Sequence, residues 1–175
     1  MSEAPLKTII EAMLFASDEP VSDDRLAAAA GDDVAAGAVR EAVAALKQDY
    51  EVGGRAFTIE EIAGGFQLFT RPEFNKYLKK LLQARREARF TQAALETLSI
   101  IAYKQPITRA EVEDIRGVAC GDMLRTLLEK GLVRVAGRSE HVGRPLLYGT
   151  TKKFLQAFGL SSVKDLPSDK QLLQP

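Results

Sequence analysis

One thiol and one imidazole limit the chemistry open to this chain of 175 residues. Cys120 stands where an apolar helical run begins, and a helix N-terminus lowers a thiol pKa and makes it nucleophilic. His141, the sole histidine, lies in a Gly- and Arg-rich loop with no route to that thiol. The two read as a residue near a helix cap and a loop imidazole rather than a Cys–His nucleophile. They are also too few for a disulfide frame or an all-protein zinc site. The neighbouring carboxylates Glu60/Glu61 and Glu111/Glu113 come without a pocket or a partner motif, and no phosphate-cradling glycine loop or nucleophile triad is visible. Catalysis, metal binding and a cofactor are therefore not expected.

The cationic side chains are the better prospect for function. Arg138 and Arg144 lie in the loop GRSEHVGRP, Lys152 and Lys153 follow it, and Arg85, Arg86 and Arg89 belong to QARREARF. Such clusters hold nucleic-acid phosphate or simply face water, and both readings stay open.

The elements that must position these groups centre on Ile100 to Val118, IIAYKQPITRAEVEDIRGV. A helix-period run ends at Tyr103 and Lys104, because Pro106 lacks an N–H donor and biases Gln105 toward an extended conformation. Thr108 is placed to cap a short second helix, with Glu111 as its capping-box partner and Val112 and Ile115 as its apolar stripe. Gly117 closes it. The pattern is that of a helix-turn-helix. A further helix from about Asp122 to Lys130 points Met123, Leu124, Leu127 and Leu128 inward, and Leu132–Ala136 and Leu146–Thr150 read as strands flanking the basic loop. Lys152 to Phe158 is a short closing helix that Gly159 stops.

Upstream, Leu6, Ile9, Ile10, Met13 and Leu14 have helical spacing, with Pro5 as a first-turn residue. Ser22 caps a second helix that Gly31 ends. Asp32 or Asp33 caps a third, with Val34, Ala38, Val39, Val43 and Leu46 toward the core. RAFTIEEI and the segment from Phe66 to Thr70 then form a hairpin across Ala63, Gly64 and Gly65, with Phe57, Ile59 and Glu61 on one face. Pro72 opens a last stretch in which Phe74, Tyr77, Leu78, Leu81 and Leu82 repeat helically.

The opening unit occurs twice. Ala16-x3-Pro20-Val21-Ser22-x3-Leu26-x4-Gly31 and Ala102-x3-Pro106-Ile107-Thr108-x3-Val112-x4-Gly117 share their spacing at an offset of 86, and Ala12/Leu98, Leu14/Ile100 and Phe15/Ile101 extend the match upstream. The fold expected is mainly α with short β hairpins (α+β): two tandem winged-helix domains. The first spans 1–83, a basic linker 84–90, the second domain 91–167 and a loose tail 168–175.

Composition agrees with a globular chain, at 46% hydrophobic and 27% charged residues. No apolar run approaches the roughly eighteen residues of a membrane helix, and MSEAPLKTIIEAMLFAS carries acid rather than a basic leader region. A soluble, cytoplasmic protein with no membrane association is expected. The zero net charge hides an asymmetry: residues 1–70 hold 5 Lys/Arg against 13 Asp/Glu, and residues 71–175 hold 19 against 11. The third helix of each domain, the element that would enter a DNA major groove, carries mixed charge outward. These are Arg40, Glu41, Lys47, Gln48 and Asp49 in one domain, and Asp122, Arg125, Thr126, Glu129 and Lys130 in the other.

IIAYKQPITRAEVEDIRGV, then LLEKGLV, then GRPLLYGTTKKFLQAFGL and KDLP, together with IEAMLFASDEPVS and GFQLFTRPEF nearer the start, strongly resemble the segregation and condensation protein B (ScpB) family. The likeness covers about residues 6 to 167. It departs at Cys120-Gly121, at His141-Val142 and in the bare Ala27–Ala30 run. The resemblance implies a non-enzymatic protein that forms a homodimer mainly through its first domain. It also implies binding to the kleisin ScpA, a reach to the SMC ATPase through ScpA, and a part in chromosome condensation and partition at the nucleoid, with DNA contact weak or indirect. The alternative is a winged-helix DNA-binding transcription regulator. For contact with a protein partner, the polar and aromatic groups around the second domain's motifs are the candidates: Tyr103, Lys104, Arg109, Arg116, Arg138, Arg144 and Tyr148.

Overall fold

Two separate hydrophobic cores organise the chain. In the computed structural model, which describes residues 4–82 and 90–167, they belong to two units, Met1–Arg86 and Glu87–Pro175. Both units mix helices with a small sheet. The residues expected to form the linker and the tail lie outside the described residues, apart from Phe90, which packs on the second core.

In the first unit, α1 (Leu6–Ala16), α2 (Asp23–Ala30) and α3 (Ala36–Val52) precede the strands β1 (Phe57–Ile62) and β2 (Gly65–Thr70). Ile10, Leu14, Leu26, Val39, Val43, Leu46 and Ile59 fill the core. Ser22 caps α2 by accepting the Arg25 N–H at 3.3 Å, as its sequence position requires. Ala63 and Gly64, both at positive φ, make the two-residue turn that matches strand twist.

Three expectations need correction here. Pro5 is the N-cap of α1 and not part of its first turn. Neither Asp32 nor Asp33 caps α3, which starts at Ala36 behind an extended Ala35 without a side-chain cap; Val34 turns toward the core first and delays the helix. Glu61 shares the Ile59 face but stays exposed, at the sheet's edge, where it meets Arg40. After β2 a 3-10 turn (Pro72–Phe74) leads into α4 (Asn75–Leu81), none of whose residues is buried.

The second unit runs α5 (Gln92–Lys104), β3 (Ile107–Thr108), α6 (Arg109–Arg116), α7 (Gly121–Glu129), β4 (Val133–Arg138), β5 (Leu146–Thr150) and α8 (Lys152–Phe158). Its sheet has the order β3-β5-β4, all antiparallel, with an irregularity between Val135 and Gly137. Leu98, Ile101, Val112, Leu124, Leu127 and Phe154 are buried at its centre. Thr91, Thr108 and Thr151 each cap the helix that follows. Ile115 does not join the buried Val112 in the core: it is 54% exposed.

The sequence repeat has a structural counterpart. At the offset of 86, α2 and α6 begin and end at matching residues, their caps Ser22 and Thr108 correspond, and so do the C-cap glycines Gly31 and Gly117. Val21 bridges Phe66 on β2, while Ile107 pairs with Tyr148 on β5, so the residue after each proline joins the returning strand of its own hairpin. Of the upstream pairs, Leu14 and Ile100 both pack on their cores, but Phe15 is 85% exposed where Ile101 is fully buried, so the first helices meet their cores in different phase.

Candidate partner-binding surface

Five of the sequence candidates, Tyr103, Lys104, Arg109, Arg116 and Tyr148, lie on or pair with α5, β3 and α6. Gln105 builds their junction. Its Oε1 accepts the Thr150 N–H at 2.7 Å and its Nε2 donates to Ala102 O at 3.1 Å, which locks the end of β5 onto the end of α5. Gly149 makes room for it, as a Cβ there would lie 2.9 Å from Gln105 Oε1. Thr108 and Glu111 form the anticipated capping box: the Glu111 N–H donates to Thr108 Oγ1 at 3.3 Å, and Glu111 Oε2 accepts the Thr108 N–H at 2.8 Å. Hydrogen bonds from the Thr108 hydroxyl and N–H hold the Glu111 carboxyl below its ordinary range.

Glu113 is a hub that inspection of the sequence missed. Its Oε1 accepts the Cys120 N–H at 2.9 Å and Arg109 Nε at 2.8 Å, and these bonds, the Cys120 one foremost, lower its pKa. The i,i+4 spacing of Arg109 and Glu113 was the available signal. Cys120 itself is buried, and burial followed by the Glu113 charge pushes its thiol up, opposite to what nucleophilic activation needs.

The seven candidates fall into distinct settings. Arg109 is exposed and lies beside Gly121, where together with Ala119, Asp122, Met123 and Arg125 it lines a shallow cleft of about 430 Å³ at the start of α7. Lys104 is exposed. Tyr103 is 44% exposed, but its hydroxyl donates to Pro167 O at 2.8 Å and so ties the C-terminal segment to α5. Arg116 keeps only 9% of its side chain exposed; Nη2 reaches Glu96 at 3.3 Å, while Nε is buried with no partner among the described residues. Arg138 is the last residue of β4, paired with Leu146 and not in the loop as expected, and its Nη1 donates to the O of Arg144 on the β4–β5 loop at 3.2 Å. Tyr148 is a core residue on β5, at 8% exposure between Ile107 and Val135. Lys104, Arg109 and the Arg138–Arg144 pair are the cationic members whose side chains stay exposed, Arg109 while paired with Glu113.

On the first unit's third helix the cations are already engaged. Arg40 Nε bonds Asp23 at 2.6 Å and stacks 5.4 Å from the Phe66 ring centre, and Lys47 pairs with Glu60 at 3.6 Å. That face has little charge to offer phosphate.

The model of the family described as segregation and condensation complex subunit ScpB matches residues 8–169. The chain belongs to the ScpB family. Among curated ScpB sequences, the segregation and condensation protein B of Syntrophotalea carbinolica is 46% identical over 174 residues, covering 99% of this chain and 87% of that protein. The crystal structure of ScpB from Mycobacterium tuberculosis is 33% identical, covers 91% of this chain and 99% of its own, and has a TM-score of 0.43. A crystallised dimer of an ScpB N-terminal domain with a ScpA peptide is 36% identical, covers 46% of this chain and 94% of its own, and has a TM-score of 0.41. Among the described residues, no helix of this ScpB-family chain is long and apolar enough to cross a membrane.

Proposed function

We propose that this ScpB-family chain is a non-enzymatic subunit of the bacterial SMC–ScpA–ScpB complex, acting in the cytoplasm on the nucleoid in chromosome condensation and partition. It works as a homodimer of chains with two winged-helix units each, holds the kleisin ScpA, and reaches the SMC ATPase through ScpA. The observation that carries this is the match to the complex-subunit family over nearly the whole length of the chain. Charge distribution supports it. The Arg40 and Lys47 ion pairs and the acidic members of α7 suit contact with protein better than entry into a major groove. DNA contact is weak or indirect on this reading, and ATP hydrolysis belongs to SMC.

The test is size-exclusion chromatography of the chain mixed with ScpA from the same organism, run beside a gel-shift on duplex DNA at physiological salt. Co-elution with ScpA and no discrete shifted band are expected. Tight binding to one short palindrome without co-elution would instead establish the transcription-regulator reading. At finer grain, Arg109→Glu is expected to weaken ScpA binding at least about tenfold, because it inverts an exposed cation that lines the α7 cleft. Unchanged affinity in a pull-down would remove Arg109 from the surface.

A further inference from the structure

Charge divides the second unit along its chain. Residues 91–129, which carry α5, β3, α6 and α7, hold 4 Lys/Arg against 6 Asp/Glu, whereas residues 130–153, the β4–β5 hairpin and its flanks, hold 6 Lys/Arg against Glu140 alone. Among the described residues, the ion pairs of this unit are Arg109–Glu113 and Arg116–Glu96, both on the helices. Arg134, Arg138, Arg144, Lys152 and Lys153 are exposed and belong to neither. The hairpin that carries them is ordered to its tip. Ser139 N–H donates to Pro145 O at 2.8 Å, Arg144 N–H to His141 O at 2.9 Å and His141 N–H to Ser139 Oγ at 3.2 Å, so bonds within the loop fix it beyond the strands. Val142, at its end, is fully exposed.

Register places the cations on both sides of this ribbon. Residues opposite each other across an antiparallel pair share a face, and faces alternate along a strand. Arg134 lies opposite Gly149 and Arg138 opposite Leu146, so the irregularity between Val135 and Gly137 turns the two side chains to opposite faces. Each uses one N–H on a carbonyl, of Thr150 or Arg144, which holds the guanidinium in place and leaves its other donors for a ligand. A flat anionic surface, of acidic protein or of lipid headgroups, would meet one face alone. Two rows of phosphate with a groove between them meet both. The major groove of B-DNA, roughly 12 Å wide, admits a two-stranded ribbon, and the planar guanidinium matches phosphate. We propose that the β4–β5 hairpin is a sequence-independent DNA-binding element: it enters a duplex groove with Arg134, Arg138 and Arg144 on the phosphates of the two flanking strands, and Lys152 and Lys153 on the backbone at its base. Bases are not read, because Asp122 and Glu129 on the exposed side of α7 repel phosphate. The inference rests on the reading above only in giving its weak DNA contact a place; ScpA binding does not enter it.

The experiment is fluorescence anisotropy of labelled DNA duplexes of two unrelated sequences, titrated with the full chain over a salt series that starts well below physiological ionic strength. Four variants accompany wild type, each checked for folding by circular dichroism and melting: Arg138→Gln with Arg144→Gln, Arg138→Lys with Arg144→Lys, Lys152→Gln with Lys153→Gln, and, as an equal loss of charge elsewhere, Lys79→Gln with Lys80→Gln on α4. Wild type is expected to bind both duplexes alike, with a slope of about −4 for log affinity against log salt, as four to five phosphate contacts require. The arginine-to-glutamine pair is expected to weaken binding at low salt at least about tenfold and to flatten the slope by about 2, and the Lys152/Lys153 pair to flatten it similarly. The arginine-to-lysine pair should keep most of the affinity, and the α4 pair should stay within about threefold of wild type. No salt-dependent binding by wild type, folded hairpin variants that bind as wild type does, or an equal loss in the α4 pair would each overturn the proposal. A hairpin variant that keeps its duplex affinity yet no longer co-elutes with ScpA would assign the hairpin to an acidic protein segment instead, and one that loses DNA while ScpA still co-elutes would separate this contact from the kleisin's.

Discussion

Arg109 and Arg116 share one short helix but have opposite relations to water, with 56% and 9% of their side chains exposed. Charge reversal therefore means different things at the two positions. At Arg116 it sets a largely buried carboxylate beside the half-exposed Glu96, and Arg116→Glu is expected to destabilise the second unit by about 3 kcal/mol, read from urea unfolding. Arg116 is thus a poor probe of partner binding, since lost fold and lost contact would look alike. The carboxylates of α6 give a second residue-scale expectation. Glu111 and Glu113 titrate below their ordinary range when folded, so the unfolded chain takes up protons first as pH falls. Their contribution is fully present above the ordinary carboxylate pKa of about 4 and is lost as pH drops through the lowered folded values. Unfolding free energy measured from about pH 6 to about pH 3 should fall, and Glu113→Gln should flatten that slope.

At the scale of elements, the prolines, caps and closing glycines marked most helix ends, because each acts through one residue and its immediate neighbours. Thr108 with Glu111, Ser22, Thr91 and Gly117 all sit where their types demand. What local pattern could not show was the phase in which a helix meets its core. Phe15 and Ile101 occupy equivalent places in the repeat, yet one faces water and the other the interior. Glu113 was similarly hidden, as its role needs Cys120 folded back against it. Gly65 is another product of tertiary approach: a Cβ there would lie 2.7 Å from the Val21 carbonyl carbon, where the post-proline residue joins the hairpin. Gly65→Ala is expected to cost the first unit about 2–3 kcal/mol by forcing that bridge apart. Gly37, in the first turn of α3 with open space around its Cβ position, makes the contrast, and Gly37→Ala should stabilise by up to about 0.5 kcal/mol. Thermal melts of the two variants side by side would show whether close backbone approach or helix propensity governs each glycine.

For the whole molecule, the repeat and the two cores carry one consequence. Leu46 and Leu127 occupy the hearts of separate clusters that share no residue, each nearly or fully buried on a helix packed against its own unit. The function legible in the sequence came from linked motifs spanning both units, whereas the exposed stripe of α4 reads as ordinary amphipathic helix until the structure shows that no core covers it. Stability, by contrast, should be partitioned. Truncating Leu127 removes three heavy atoms from a fully buried site and leaves a cavity, a change that costs about 3–4 kcal/mol, and that loss should fall on the second unit alone. Hydrogen exchange followed by peptide is the decisive measurement. Leu127→Ala should deprotect α5, α7 and β5 while the amides of α1, α3 and the β1–β2 hairpin keep their wild-type rates, and Leu46→Ala should do the reverse. Deprotection spreading through both units from either variant would mean that the two cores unfold as one cooperative body, and the tandem reading of the repeat would then describe its sequence without describing its energetics.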